Sequence, residues 1–186
     1  MVYEGTLEGF GVRLRSLEEG DAAFLFKLRT DRERTRFVHA IEGTVDDQRL
    51  YIQKQRAREG DYYFLAEDLN GEPFGALAYY NLVDKNGETG RMVLNGTFAQ
   101  NCDAILQLRR FAFEIIGAEY VRCTVVNGNK PVLAQIKRMG GEQVGSFIDS
   151  ADGSEVLEFH VSRETYEERK EKYRQLVEKS YRMEQR

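Results

Sequence analysis

The chain reads LNGTFAQNCDAILQLRRFAFEIIGAEYVRCTVVNGNKPVLAQIKRMG over residues 94–140, and this stretch decides the fold. Apolar residues recur at helical spacing up to Gly117, and residues 119–127 then alternate as a strand does. A second helix follows from Asn129, and the pair Gly140-Gly141 ends it. An apolar strand followed by helix, strand and helix indicates an α/β arrangement around one sheet.

The first of these helices is predicted to begin at Asp103, because a carboxylate at this position caps free backbone amides. Gly117 is predicted to end it, because glycine adopts the left-handed conformation that closes many helices. The predicted core face of this helix consists of Ala104, Ile105, Leu108, Phe111, Ala112 and Ile115.

Shorter elements flank the stretch on both sides. The dipeptide Asn70-Gly71 marks a hairpin in the first half of the chain. Further strands are predicted over residues 12–17, 61–68, 74–84, 88–96, 143–149 and 155–161. Further helices are predicted to begin at Asp21, Thr44 and Ser162. The predicted fold is therefore a mixed, mostly antiparallel sheet in the order β-α-α-β-β-β-α-β-α-β-β, flanked by helices, with an added C-terminal helix.

Length and composition restrict the function classes. The 186 residues suit one domain over residues 1–161 and a helical extension over residues 162–186. A net charge of −4 argues against a nucleic-acid-binding face. The chain shows no signal peptide and no apolar run of about 18 residues, and Cys102 and Cys123 form no metal or disulfide pattern. We expect a cytoplasmic protein without a metal, nucleic-acid or membrane partner.

The pattern N-x-x-V-L-x-x-I-K-R-M-G over residues 129–140 resembles a helix of the GCN5-related N-acetyltransferase (GNAT) family. The family writes that helix as N-x-x-a-x-x-x-y-e-k-l-G-f, after a strand and a long helix at the spacing seen here. The resemblance covers most of the chain, about residues 12–161. It implies an acyltransferase domain that uses acetyl-CoA as its cofactor.

Within that family, the chain is most similar to the amino-sugar-nucleotide N-acetyltransferases that make the pseudaminic-acid precursor. The matching stretches are Leu28-Arg29, Tyr63-Phe64-Leu65 and residues 104–114. The resemblance implies transfer of an acetyl group to a primary amine of a small molecule, with an amino-sugar nucleotide as the specific candidate. Two alternatives stay open: acetylation of a protein N-terminus, as in the ribosomal-protein acetyltransferases, and a catalytically degenerate domain that only binds. A homodimer also stays open.

The resemblance assigns the cofactor to the junction between the strand that ends near Leu94 and the following helix. In the family, free backbone groups of that strand bind the pantetheine arm, and the helix start binds the pyrophosphate. The residues implied for pantetheine are Val93, Leu94, Asn95, Asn127 and Asn129. The residues implied for the pyrophosphate are Phe98, Ala99, Gln100, Asn101, Cys102, Asp103 and Ala104.

The pyrophosphate loop and two positions in the later helix region depart from the family pattern. The pyrophosphate loop lacks its two usual glycines, and Asp103 adds a carboxylate near the helix start. Ile136 stands where many relatives have the tyrosine that protonates the leaving thiolate, and Gly141 stands where they have phenylalanine. These departures bear on activity rather than on fold.

Catalytic and substrate-binding candidates lie on the central strands. Glu88 matches a position at which relatives use a glutamate to deprotonate the amine through water, and Tyr80 is the second catalytic candidate. His39, Tyr79 and Asn81 are candidates for binding the acceptor. For each of them a structural role is the alternative: a solvated turn glutamate, core tyrosines and a solvated loop histidine.

Overall fold

The computed structural model describes residues 1–33, 35–38 and 41–184. In this part of the chain, eight strands form one sheet in the order β1-β2-β3-β4-β5-β6-β8-β7. They are β1 (Leu7–Glu8), β2 (Val12–Ser16), β3 (Tyr62–Asp68), β4 (Pro73–Val83), β5 (Asn86–Leu94), β6 (Tyr120–Val126), β7 (Glu142–Ile148) and β8 (Glu155–Ser162). Neighbouring strands are antiparallel except β5 and β6, which are parallel. The predicted mixed sheet is confirmed, and β1 is a strand that the sequence did not predict.

Two helices cover one face of the sheet. They are α1 (Ala22–Thr30) and α2 (Val45–Ala57). Thr44 begins α2 with a reciprocal capping box, in which its hydroxyl and the Asp47 carboxylate each bind the other residue's amide. The apolar residues of these helices pack on alternate β3 residues, Tyr63 and Leu65, while Phe64 faces the opposite core.

The long helix α3 (Phe98–Arg110) lies on the opposite face and begins five residues earlier than predicted. Its N-cap is Thr97, which forms a capping box with Gln100. Asp103 is therefore an interior residue of the second turn, and the prediction that it caps the helix is wrong. The capping box is the stronger signal, because it satisfies two backbone amides at once.

A π-helical segment (Phe111–Ile116) continues α3 to Gly117, which ends it at a φ of 84° as predicted. The wider π turn brings Phe111, Ala112 and Phe113 into the core in succession. Ile115 consequently faces solvent, which corrects its predicted place on the core face.

Two further helices complete this layer: α4 (Lys130–Arg138) and α5 (Arg163–Glu184). The predicted apolar stripe of α5 packs against α3 of the same chain, with Tyr173 and Val177 buried beside Cys102 and Leu106. No helix within the described ranges is both long enough and apolar enough to cross a membrane.

Candidate active site

The sheet opens into a wedge between β5 and β6. Their ladder has three pairs and ends where Thr89 faces Cys123, after which the two strands diverge. A β-bulge at this point places one extra residue of β5 opposite β4, and Arg91 takes a φ of 47° there. Because a bulge bends its strand, it accounts for the separation of β5 from β6.

The bulge is held in place by the side chain of Arg91. Its guanidinium lies 2.8 Å from the buried carboxylate of Asp61 and 4.1 Å from the ring centre of Tyr80. A non-glycine residue at positive φ is strained, so the ion pair and the ring contact stabilise a conformation that the backbone alone disfavours.

A cavity of about 470 Å³ runs through the wedge from one face of the sheet to the other. Its walls on the helix side come from α3 and α4, and include Leu108, Arg109, Gln135, Ile136 and Met139. Its walls on the α1–α2 side include Arg29, Phe37, Val38, Tyr80, Glu88 and Arg122. The cavity therefore joins two compartments through the gap between β5 and β6.

Glu88 lies at the narrow end of the wedge, on the α1–α2 side. The hydroxyl groups of Tyr80 and Thr124 donate to its Oε1 at 3.0 and 2.6 Å, and Arg122 donates to its Oε2 at 2.8 Å. A carboxylate has about four acceptor positions, so these three donors leave one on Oε2 for an amine or a water molecule.

Tyr80 is the partner of Glu88 across the β4–β5 ladder. Burial raises the pKa of the Tyr80 hydroxyl above its ordinary value, and the adjacent Glu88 carboxylate raises it further. The hydroxyl therefore stays protonated at neutral pH and acts as a hydrogen-bond donor.

Of the three predicted acceptor-binding residues, the structure describes Tyr79 and Asn81, and it places them apart from each other. Tyr79 is fully buried on the α3 face, and its hydroxyl donates to the carbonyl of Lys85 at 2.8 Å. Asn81 is exposed, at a φ of 54°, outside the cavity lining. His39 lies outside the described residues. The position of Tyr79 favours the core role that was its alternative.

The start of α3 carries an intramolecular carboxylate. The amide of Ala99 donates to Glu184 at 3.0 Å, and the hydroxyl of Thr97 donates to the same carboxylate at 2.6 Å. The amide of Gln100 is bound by its capping partner. Phe98 is exposed beside them, and Asn101 bonds back to the backbone of Gly96. Glu184 thus takes the place at this helix start where an anion is expected.

The last three residues predicted for the pyrophosphate are buried inside the fold. Cys102 and Ala104 pack in the core, and burial raises the pKa of the Cys102 thiol. The Asp103 carboxylate points away from the helix start and accepts hydrogen bonds from the Gly11 amide and from Gln107. All three residues lie past the first turn of α3, and their assignment to the pyrophosphate stays a prediction.

The residues predicted for the pantetheine arm have mixed positions. Val93 packs under α1 and α2, Leu94 packs against α3, and the amide of Asn95 bonds to the carbonyl of Phe74. Asn127 is exposed and binds Glu155. The fifth residue of that set, Asn129, caps α4 and lines the cavity. The segment of β5 that borders the cavity is residues 88–92, just before the predicted residues.

Several site residues escaped the sequence analysis. Strand alternation puts Arg122 and Thr124 on one face of β6, so the sequence alone could have indicated both residues. Arg109 is a charged residue on the apolar side of α3, and Thr97 opens a capping box. The sequence pattern could therefore have indicated both residues. No sequence pattern indicates the role of Glu184, because 87 residues separate it from Thr97.

The model of the Acetyltransferase (GNAT) domain family matches residues 12–142. The chain belongs to the GNAT acetyltransferase family. The apo structure of FdhC, a nucleotide-linked sugar GNAT, superimposes with a TM-score of 0.80 at 23% identity over 92% of this chain and 97% of its own. No curated protein sequence matches this GNAT chain.

Two further solved structures share the fold. A GCN5-related N-acetyltransferase from Brucella melitensis has a TM-score of 0.79 at 16% identity, over 94% of this chain and 86% of its own. A spermidine N-acetyltransferase from Vibrio cholerae, in complex with CoA and spermine, has a TM-score of 0.74 at 16% identity, over 83% of this chain and 97% of its own. The predicted family and fold class are confirmed.

The GNAT family uses acetyl-CoA, and the site of this chain fits one end of that cofactor better than the other. The wedge fits the acyl-pantetheine end, because past the rung of Thr89 and Cys123 the facing edges of β5 and β6 no longer pair with each other. The helix start fits the pyrophosphate less well, because Glu184 already accepts the hydrogen bonds of Ala99 and Thr97.

Proposed function

We propose that this chain is an acetyl-CoA-dependent N-acetyltransferase that acts on a primary amine of a small molecule. The single observation that carries the proposal is the position of Glu88. Its carboxylate lies beside the gap between β5 and β6, lines the cavity and is held by three donors. A fixed carboxylate with one remaining acceptor position is suited to receive a proton from an attacking amine.

Different residues of the wedge have different roles in this reaction. When bound, acetyl-CoA supplies the thioester carbon that the amine attacks. Residues 90–92 of β5, residues 124–126 of β6 and Asn129 border the compartment that would hold its acyl-pantetheine end. Tyr80, Thr124 and Arg122 hold the Glu88 carboxylate in one orientation, so that it takes the amine proton directly or through a water molecule.

The α1–α2 compartment supports an acceptor that carries phosphate and a ring. Arg29 and Arg122 line it, and guanidinium groups bind phosphate well. Phe37 and Phe147 contribute flat apolar faces on which a base or sugar ring stacks. Together with the likeness to a nucleotide-linked sugar GNAT, these groups support an amino-sugar nucleotide as the acceptor.

Two observations favour a second function, a domain that binds its ligand without turnover. Glu184 occupies the amide of Ala99, and Ile136 provides no acidic proton for the departing thiolate. A domain with both features would bind the pyrophosphate end of the donor weakly and release the thioester unchanged.

Thiol release from acetyl-CoA tests the proposal. The purified chain is assayed with a nucleoside-diphosphate amino sugar, with spermidine and with a short peptide bearing a free N-terminus. We expect release with the amino sugar, and a loss of about 100-fold in kcat for Glu88→Gln, the scale of a general base. Glu72→Gln, in an exposed hairpin turn, is the matched control and should keep full activity.

Calorimetric titration with acetyl-CoA separates the outcomes. Binding without release on any of the amines would establish the binding domain instead. Release with spermidine or the peptide alone would keep the transferase and replace the acceptor. Absence of both binding and release at millimolar acetyl-CoA would reject the proposed function.

A further inference from the structure

Arg109 is a buried cation at the helix-side wall of the wedge. Its side chain extends from the last turn of α3, is 4% exposed and lines the cavity. Its Nη2 donates a 3.4 Å hydrogen bond to Sγ of Cys123. Within the described residues, its Nε and Nη1 are buried without any hydrogen-bond partner. Its neighbour Arg110 is exposed, so the burial is specific to Arg109.

No carboxylate in the part of the chain that the structure describes is hydrogen-bonded to Arg109. The thiol of Cys123 contacts its guanidinium, and Arg109 also lines the adjoining cleft between α3, α4 and α5 together with Arg138 and with Tyr173, whose pKa is raised by burial. None of the ion pairs among the described residues includes Arg109. A guanidinium keeps its charge, and a buried charge without a partner is costly. Proteins bury arginine almost solely when it is paired.

The position of Arg109 indicates which end of a ligand it meets. It lies ten positions after Ala99, a rise of about 15 Å along the helix. The pyrophosphate end of a donor is therefore far from it. Cys123, which it contacts, belongs to the last rung of the β5–β6 ladder, where the wedge closes and the acyl group would end.

We propose that Arg109 gives this chain a further activity, the transfer of an acyl group that itself ends in a carboxylate, with succinyl-CoA as the representative donor. This inference rests on the proposed function and names the acyl group that its donor site prefers. The terminal carboxylate pairs with the guanidinium and supplies the missing anion. The transfer forms one C–N bond and breaks one C–S bond; the amine loses a proton, the thiolate gains one, and the terminal carboxylate is unchanged.

Binding of donors in the absence of an acceptor tests the inference. We expect the chain to bind succinyl-CoA about tenfold more tightly than acetyl-CoA in calorimetric titrations, as for one buried charge-assisted pair. Arg109→Met should reduce this preference to within about twofold, and Arg109→Lys should retain part of it. Arg110→Met, at the exposed neighbouring position, should leave the preference unchanged.

The outcomes separate this inference from the proposed function. Equal affinities of the unmodified chain for the two thioesters, or an unchanged preference in a folded Arg109→Met variant, would reject the role of Arg109 and leave the acetyltransferase standing. If neither thioester binds, both proposals fall. Should Arg109→Met fail to fold, as judged by its melting curve, the comparison of the two donors on the unmodified chain still decides.

Discussion

The backbone amide of Ala99 donates a 3.0 Å hydrogen bond to the carboxylate of Glu184, so the last turn of α5 caps the first turn of α3. The hydroxyl of Thr97 binds the same carboxylate. A negative charge at a helix N-terminus is stabilised by the helix dipole. The chain thus supplies from its own C-terminal helix the kind of charge that a bound phosphate would bring.

Glu184→Gln should strengthen the binding of CoA. The glutamine keeps an oxygen for the Ala99 amide but removes the negative charge, so a phosphate meets less competition at the helix start. A charge at this position contributes about 0.3–1 kcal/mol, which corresponds to an affinity gain of about two- to fivefold. Calorimetric titration with CoA measures it.

Glu178→Gln is the control for this variant. Glu178 lies on the same helix, and its carboxylate accepts a hydrogen bond from Arg182 in an exposed pair. Its substitution should not change CoA affinity. If Glu184→Gln binds CoA no better than the unmodified chain, the carboxylate does not compete with the ligand.

The fold was largely predictable from sequence because its signals are local. The capping box of Thr44, the Asn70-Gly71 turn and the glycine that closes the π-helical segment each act within a few residues. The prediction that α3 begins at Asp103 was wrong for a physical reason. The Asp103 carboxylate accepts a hydrogen bond from the Gly11 amide in a distant loop, and the sequence alone does not distinguish such an aspartate from a helix cap.

The candidate site was predictable only in part. Glu88 and Tyr80 face each other because adjacent strands in register bring their side chains together, and alternation could anticipate this. The bulge at Arg91 depends on Asp61, which lies 30 residues away. The contact of Glu184 depends on how α5 packs on α3. Such long-range contacts leave no pattern in a single sequence.

Asp61→Asn should destabilise the chain. Asp61 is 2% exposed and binds the guanidinium of Arg91 at 2.8 Å. Removing its charge leaves a largely buried cation unpaired at the bulge, at a cost of about 3 kcal/mol in the free energy of unfolding. Urea denaturation measures the change.

Asp46→Asn provides the comparison for Asp61→Asn. Asp46 is exposed and pairs with Arg49 on the surface of α2. Its substitution should cost less than about 0.5 kcal/mol. Similar costs for the two variants would show that the Asp61 pair does not support the bulge.

Phe111→Ala should cost about 3–5 kcal/mol in the free energy of unfolding. Phe111 is fully buried at the start of the π-helical segment, and its ring makes edge contacts with Tyr3, Tyr62, Phe64 and Tyr79. Phe98→Ala at the exposed start of α3 removes the same atoms from a solvated position. It should change the free energy by less than about 0.5 kcal/mol. Comparable losses in urea denaturation would contradict the central place of Phe111.

Asp103 should make stability depend on pH. Burial raises the pKa of its carboxyl group in the folded state above the value of about 3.9 expected in the unfolded chain. Between the two values the folded state binds more protons, so the free energy of unfolding contributed by Asp103 falls as pH rises.

Asp103→Asn isolates this contribution, because all other groups titrate alike in both proteins. Its amide oxygen can still accept from Gly11. The stability of the variant relative to the unmodified chain should therefore increase from about pH 4 toward neutral pH. Chemical denaturation at several pH values measures the difference, and a constant difference would show that Asp103 does not titrate in this window.

The wedge also bears on the solubility of the sheet. Where β5 and β6 diverge, each presents an unpaired edge in the middle of an otherwise continuous sheet. Unpaired edges ordinarily invite strands of other molecules and lead to aggregation. Here the two edges face each other across a slot that closes at Thr89 and Cys123 and is walled by α3 and α4. The side chains of α3 and α4 therefore cover these two edges and protect them from pairing with strands of other molecules.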